Sequence, residues 1–149
     1  MAKNKADAEP VLYANTSNAA GAEPFLPGTL LSTDAASNTA RVQPATGGAP
    51  LKLPRSSVFL KSPACPGGHP DNAQLYHLDE ANLLDNLKVR FAGDAIYTYT
   101  GTVLLALNPY KSVGGLYDEG VMDGYRGRAL GVQPPHVYAI AERARRAIA

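Results

Sequence analysis

Asn108-Pro109-Tyr110-Lys111 closes a run of strand-forming residues, and its residue types suit a planar heterocycle. The amide of Asn108 carries a donor and an acceptor together, the pair that meets the N6 and N7 edge of adenine. The proline ring and the phenol offer faces for a flat ring. Lys111 adds a cation that could approach a ribose or phosphate oxygen. Spacing alone also permits a plainer reading, since Asn-Pro is a common turn.

Other residues invite chemistry less well. His136 follows Pro134-Pro135 at a predicted helix start, where a neutral, hydrogen-bonded imidazole is expected and no catalytic role. Asp118 and Glu119 are adjacent, so on a helix they diverge and make a poor carboxylate pair. His69 and His77 lack metal-ligand company. Cys65 is the one cysteine, which excludes an internal disulfide and leaves no Cys/His set for zinc. No catalytic or metal-binding residue is therefore expected. The 149 residues contain no G-x-x-x-x-G-K-[ST], so no glycine-rich nest for phosphates and no lysine or hydroxyl to manage Mg²⁺.

The elements that must position the Asn-Pro corner can be read from local pattern. Tyr97 to Tyr99 and Val103 to Leu107 are β-branched, aromatic or aliphatic, with Gly101 at the turn, which predicts a hairpin. Ahead of it, Asp79 can cap a helix with Glu80 in its first turn. Leu83, Leu84, Leu87 and Phe91 share one face, Lys88 and Arg90 lie near the C-terminal end, and Gly93 closes it. After the corner, a short helix is expected over 118–125 with Asp118 as cap. Pro134-Pro135 then opens a longer helix with an apolar stripe of Val137, Ile140, Ala141, Ala144 and Ile148. Arg143, Arg145 and Arg146 lie beside that stripe, solvated. No stop signal follows, so the sequence reads as a fragment ending inside this helix.

The first seventy residues have a different texture. Residues 1–23 read as a flexible arm and 64–70 as a linker. Between them, strand-length runs alternate with Pro27-Gly28, Asp34 to Asn38, Gly47-Gly48 and Pro54, which predicts a small all-β barrel or sandwich over 24–63. So small a piece should lean on a larger neighbour. A formal net charge of +1 gives no electrostatic case for nucleic acid or an anionic membrane. No apolar run approaches a membrane span and no secretory signal opens the chain, so it reads as cytoplasmic.

IYTYTGTVLLALNPYK resembles the signature of the myosin motor head, and LYDEGVMDGYRGR and QPPHVYAIAERARRAI follow in the family's order. The resemblance covers His69 to Ala149. It implies a mixed α+β and α/β fragment: a small SH3-like β subdomain over 24–63, then the first helices and hairpin strands of a P-loop-type motor core over 71–149. Phe25 stands where the family's β subdomain usually has tryptophan. The resemblance also implies that Asn108, Pro109, Tyr110, Lys111 and Tyr117 line the adenine side of an ATP pocket. Gly114-Gly115 replaces the family's proline ahead of Tyr117 and adds one residue. ATP and Mg²⁺ are implied for the complete motor, with the Mg²⁺ ligands outside this chain. Actin filaments and light chains are implied as partners through missing regions, with a cytoskeletal location. The parent would be an actin-activated ATPase, and this chain alone is expected to be inactive. Two other readings stay open, a non-enzymatic β-rich interaction module and another truncated nucleotide-binding domain.

Overall fold

The computed structural model describes residues 8–15 and 22–148. They divide into two units, one running to Pro63 and taking in Asp79–Asn82, the other made of Ala64–Leu78 and Leu83–Ala149. The first unit is one antiparallel sheet. Its strands are β1 (Glu9–Ala14), β2 (Phe25–Asp34), β3 (Thr39–Pro44), β4 (Leu51–Pro54) and β5 (Val58–Leu60), in the order β4-β3-β2-β1-β5. Val11, Tyr13, Ala40, Val42, Leu53 and Val58 form its core. In β3, Ala40 and Val42 are buried two apart, as a pleated strand requires.

Two expectations fail in this unit, and both for long-range reasons. The arm expected over 1–23 contains β1, paired to β2 on one side and β5 on the other. Val11, Leu12 and Tyr13 are buried in succession, so both faces of this strand are covered. Such a strand shows no alternation to read. Residues 1–7 and 16–21 lie outside the described residues. Pro27-Gly28, expected as a turn, instead lies inside the ten-residue β2. Gly28 marks a close approach: a Cβ there would lie 2.7 Å from Val42 Cγ1 and 2.8 Å from the Gln43 carbonyl oxygen. The turn at Asp34 to Asn38 does form. Asp34 accepts from the Ala36 amide at 3.0 Å and the Ser37 hydroxyl at 2.6 Å, and Asn38 takes a left-handed φ of 49°.

The second unit starts where a linker was expected, and there the chain is pinned. The Gly68 amide donates to the Cys65 carbonyl at 2.9 Å, and the Tyr99 amide donates to the Pro70 carbonyl at 2.9 Å. Helix α1 (Glu80–Ala92) follows, with Asp79 accepting from the Asn82 amide at 2.9 Å as its cap. Strands β6 (Tyr97–Thr100) and β7 (Val103–Ala106) form the hairpin, with Gly101 at φ 60° in its turn. Helices α2 (Glu119–Tyr125) and α3 (Val137–Ile148) complete the unit. Tyr99, Tyr125 and Ala139 are its buried apolar centre, packed by Leu104, Val121, Leu130, Tyr138 and Ile140.

The helices form close to the expected places but turn different faces inward. In α1, Leu83, Leu84 and Leu87 are only half-buried and Phe91 is exposed, whereas Asn86 and Arg90 are buried. In α3 the buried residues are Ala139 and Glu142, while Val137 and Ile148, from the expected stripe, are exposed. This helix begins after Pro134-Pro135 and His136. Asp118 sits at the start of α2 but its carboxylate makes no capping bond; its carbonyl takes the Val121 and Met122 amides.

Gly28→Ala should lower the stability of the sheet unit by about 1–3 kcal/mol, the usual cost of forcing one carbon into a filled site. Gly120→Ala, whose Cβ would meet nothing within 4 Å, should be neutral or slightly stabilising, as alanine favours a helix. Chemical denaturation of both variants against wild type checks the pair.

Candidate functional site

Strand β7 ends at Ala106, and the Leu107 amide still donates to the Ile96 carbonyl at 3.0 Å, so the hairpin holds the start of the corner. Asn108 then accepts from the Tyr110 amide through Oδ1 at 2.9 Å. This closes an Asx turn and supports Tyr110 at a left-handed φ of 51°. One lone pair of Asn108 Oδ1 is thus used by its own backbone; the second lone pair and the Nδ2 donor remain. Tyr110 stands 90% exposed. Behind the turn lies a groove of about 440 Å³, lined by Leu84, Leu87, Phe91, Leu107, Asn108 and Tyr110 among others.

The five residues expected at one site fall into three settings. Asn108 and Tyr110 line that groove, with the half-buried Pro109 between them. Lys111 turns to Asp94, with Nζ 2.6 Å from Oδ1, both side chains half-exposed. Tyr117 joins an aromatic cluster around His136. Its hydroxyl is 2.7 Å from that of Tyr97, and its carbonyl accepts from the Tyr138 hydroxyl at 3.0 Å.

His136 is the centre of that cluster and is 3% exposed. Nδ1 accepts the Tyr138 amide at 3.1 Å, which leaves the proton on Nε2 to donate to the Leu116 carbonyl at 3.0 Å. Tyr125 stacks on the ring at 5.3 Å, and Tyr97 and Tyr138 approach at 4.9 and 4.6 Å. Burial disfavours the cation and holds its pKa below the ordinary 6.5, against the opposing pull of the bond to the Leu116 carbonyl. Burial, reinforced by the Tyr117 hydroxyl, pushes the Tyr97 phenol up to about 12. Near the end of the cluster, hydrogen bonds from Arg145 hold the Glu142 carboxyl down at about 2, helped by the Gly127 amide at 3.0 Å.

Arg90 was read as a cation suited to the helix end, and the structure buries it. Nε donates to Thr98 Oγ1 and Nη2 to the Tyr97 carbonyl, each at 2.8 Å. A signal for this was present: Asn82, Asn86 and Arg90 recur at four-residue spacing, the polar stripe of one helix face. Among the described residues no group of three His, Cys, Asp or Glu could hold a metal ion. No helix among them is long and apolar enough to cross a membrane.

Residues 69–149 match the family model described as Myosin head (motor domain). Myosin heavy chain 95F of Drosophila melanogaster is 49% identical over 79 residues, 53% of this chain and 6% of its own length. Human Unconventional myosin-VI is 47% identical over 74 residues, 50% of this chain and 6% of its own. Myosin-9 of Arabidopsis thaliana is 40% identical over 105 residues, 70% of this chain and 7% of its own. The chain thus spans only a small part of the curated relatives it matches.

The neutral His136 sets a pH dependence with a definite sign. Its folded-state pKa is depressed, so as pH falls below about 6.5 the unfolded chain takes up a proton that the folded chain resists, and stability is lost. Thermal melts at pH 7.5 and 5.5 should show a larger drop for wild type than for His136→Gln, whose amide can serve both partners without a charge. Equal drops would mean that other groups carry the dependence.

Proposed function

The chain belongs to the myosin head (motor domain) family, and from that premise we propose that it supplies the adenine-side wall of the ATP pocket in a complete actin-based motor. The observation that carries this reading is the Asx turn at Asn108, which stands at the end of a hairpin inside the matched residues. Asn108, Pro109 and Tyr110 form the wall, and Lys111 and Tyr117 flank it. The residues present fit a base: Asn108 Nδ2 is a donor for a ring nitrogen, and Tyr110 presents an exposed ring. They do not fit the phosphates or Mg²⁺, because the 149 residues carry no phosphate-binding loop. Phosphoryl transfer rests on that loop and its metal, so the parent motor is the ATPase and this chain orients the nucleotide. Actin filaments and light chains are partners of the parent through other regions, and its place is the cytoskeleton. The five-stranded sheet fills the role of the small SH3-like subdomain ahead of the motor core.

Two measurements test this reading. The purified 149-residue chain should show no ATPase activity with or without actin filaments; steady turnover that survives repurification overturns that part. In a complete motor carrying this segment, Asn108→Ala should weaken ATP by about 1–3 kcal/mol, the cost of an unpaired buried partner, and leave tripolyphosphate nearly unchanged. Asn108→Ser keeps an oxygen for the turn but loses the amide donor. It should resemble Asn108→Ala if the donor reads the base. Restored ATP affinity in the serine variant would show that Asn108 only shapes the loop.

A further inference from the structure

Arg90 is 8% exposed, yet no carboxylate pairs with it among the described residues. A buried cation is costly unless it is paired and hydrogen-bonded. Its two bonds go to neutral oxygens, Thr98 Oγ1 and the Tyr97 carbonyl, and they use Nε and one hydrogen of Nη2. A guanidinium has five N–H donors in a planar fork. The end of the fork, Nη1 with the second Nη2 hydrogen, therefore has no partner among the described residues. Burial is the larger influence on the Arg90 pKa and lowers it, opposed by the nearby Cys65 thiol.

Arg90 lines a cavity of about 350 Å³, within the range of small-molecule sites. Its other walls include Ile96, Leu116, Val121 and Pro135, which are apolar. Asp94 also lines it, but its carboxylate is 2.6 Å from Lys111 Nζ. The Nε2 proton of His136, another lining residue, is taken by the Leu116 carbonyl. A planar fork left open beside apolar walls matches an anion that is also planar and apolar behind its charge. We propose that this cavity binds a small monocarboxylic acid with an apolar body, its two carboxylate oxygens taken by the end of the Arg90 guanidinium. The site is separate from the groove behind Asn108 and does not depend on the nucleotide reading.

Benzoate is the probe, titrated into the 149-residue chain at low salt while the Arg90 side-chain N–H resonances are followed by NMR. Saturable shifts are expected, with benzamide, the same shape without the charge, at least about tenfold weaker because a charge-assisted bidentate pair is lost. Val121→Phe, which fills the cavity without touching the bonds of Arg90, should abolish the benzoate response. Asp94→Asn, on the half-exposed rim, should tighten benzoate about threefold by removing a nearby like charge. Val121→Phe could fail to fold, and then the benzoate-to-benzamide ratio and the Asp94→Asn variant still decide. No saturable benzoate response, equal affinities for the two probes, unchanged binding in a folded Val121→Phe, or no tightening in Asp94→Asn would each overturn the proposal.

Discussion

Helix α1 is held by the backbone that its buried polar face must satisfy. Buried N–H and C=O groups need partners, and an unsatisfied one costs on the order of 1–3 kcal/mol. Asn86 answers both backbone groups of His69, accepting from its amide at 2.7 Å and donating to its carbonyl at 3.0 Å, and also donates to Asn72 at 2.8 Å. Asn72 passes the chain of bonds to Thr100 at 2.9 Å, and Arg90 reaches Tyr97 and Thr98 one turn further along the helix. Strand β6 is thereby tied to α1 directly at Tyr97 and Thr98 and through Asn72 at Thr100, and the corner at Asn108 inherits its position from that strand. Gly68 is part of the same constraint. Its φ is +74°, and a Cβ there would lie 2.6 Å from Arg90 Cγ and 2.9 Å from Asn86 Oδ1. The Pro-Gly segment therefore lets the helix face close on the chain.

The other end of the hairpin depends on aromatic packing with polar tips. Tyr125 donates to the Pro134 carbonyl at 3.0 Å, and Tyr138 donates to the carbonyl of Tyr117. These bonds set α2 and α3 around the neutral His136. Glu142 adds a second acid-sensitive tie with the same sign. Its folded carboxyl titrates near 2, below the ordinary 4.5, so its contribution is complete above 4.5 and is lost as pH falls toward 2. Histidine and glutamate thus act in successive windows, and acid weakens the unit in both.

What the sequence revealed was what neighbours in sequence decide. The hairpin with Gly101, the Asp79 cap and the Asx-Pro corner are local, and each is present. The inward faces of α1 and α3 were misread because an apolar stripe was assumed to face the core. In α1 the buried side meets backbone amides and carbonyls, so polar residues belong there; in α3 Glu142 faces inward to meet the Gly127 amide. Strand β1 escaped notice because its partners lie far along the chain, and Gly28 was taken as a turn when its role is proximity to Val42. At the candidate site, residue types were legible but their division among three settings was not. That division depends on Asp94 drawing Lys111 away and on Tyr97 holding Tyr117.

The Asx turn at Asn108 constrains how the proposed wall could read adenine. An amide meets N6 and N7 together: Asn108 keeps its Nδ2 donor for a ring nitrogen, and Oδ1, already accepting from the Tyr110 amide, has one lone pair left for the exocyclic amine. The amine carries a second N–H, and an acceptor for it is available elsewhere in the set. Tyr110 and Tyr117 both carry hydroxyl oxygens, and they differ in preparation. Tyr110 is almost wholly exposed, so fixing its ring costs rotamer entropy. Tyr117 is already held through the Tyr97 phenol at 2.7 Å, and Tyr97, with its pKa raised to about 12, stays protonated and able to donate. When Tyr97 donates, Tyr117 retains an acceptor lone pair on a hydroxyl whose place is set before any ligand arrives. Preorganisation of that kind favours Tyr117 over Tyr110 as the acceptor in the proposed nucleotide pocket.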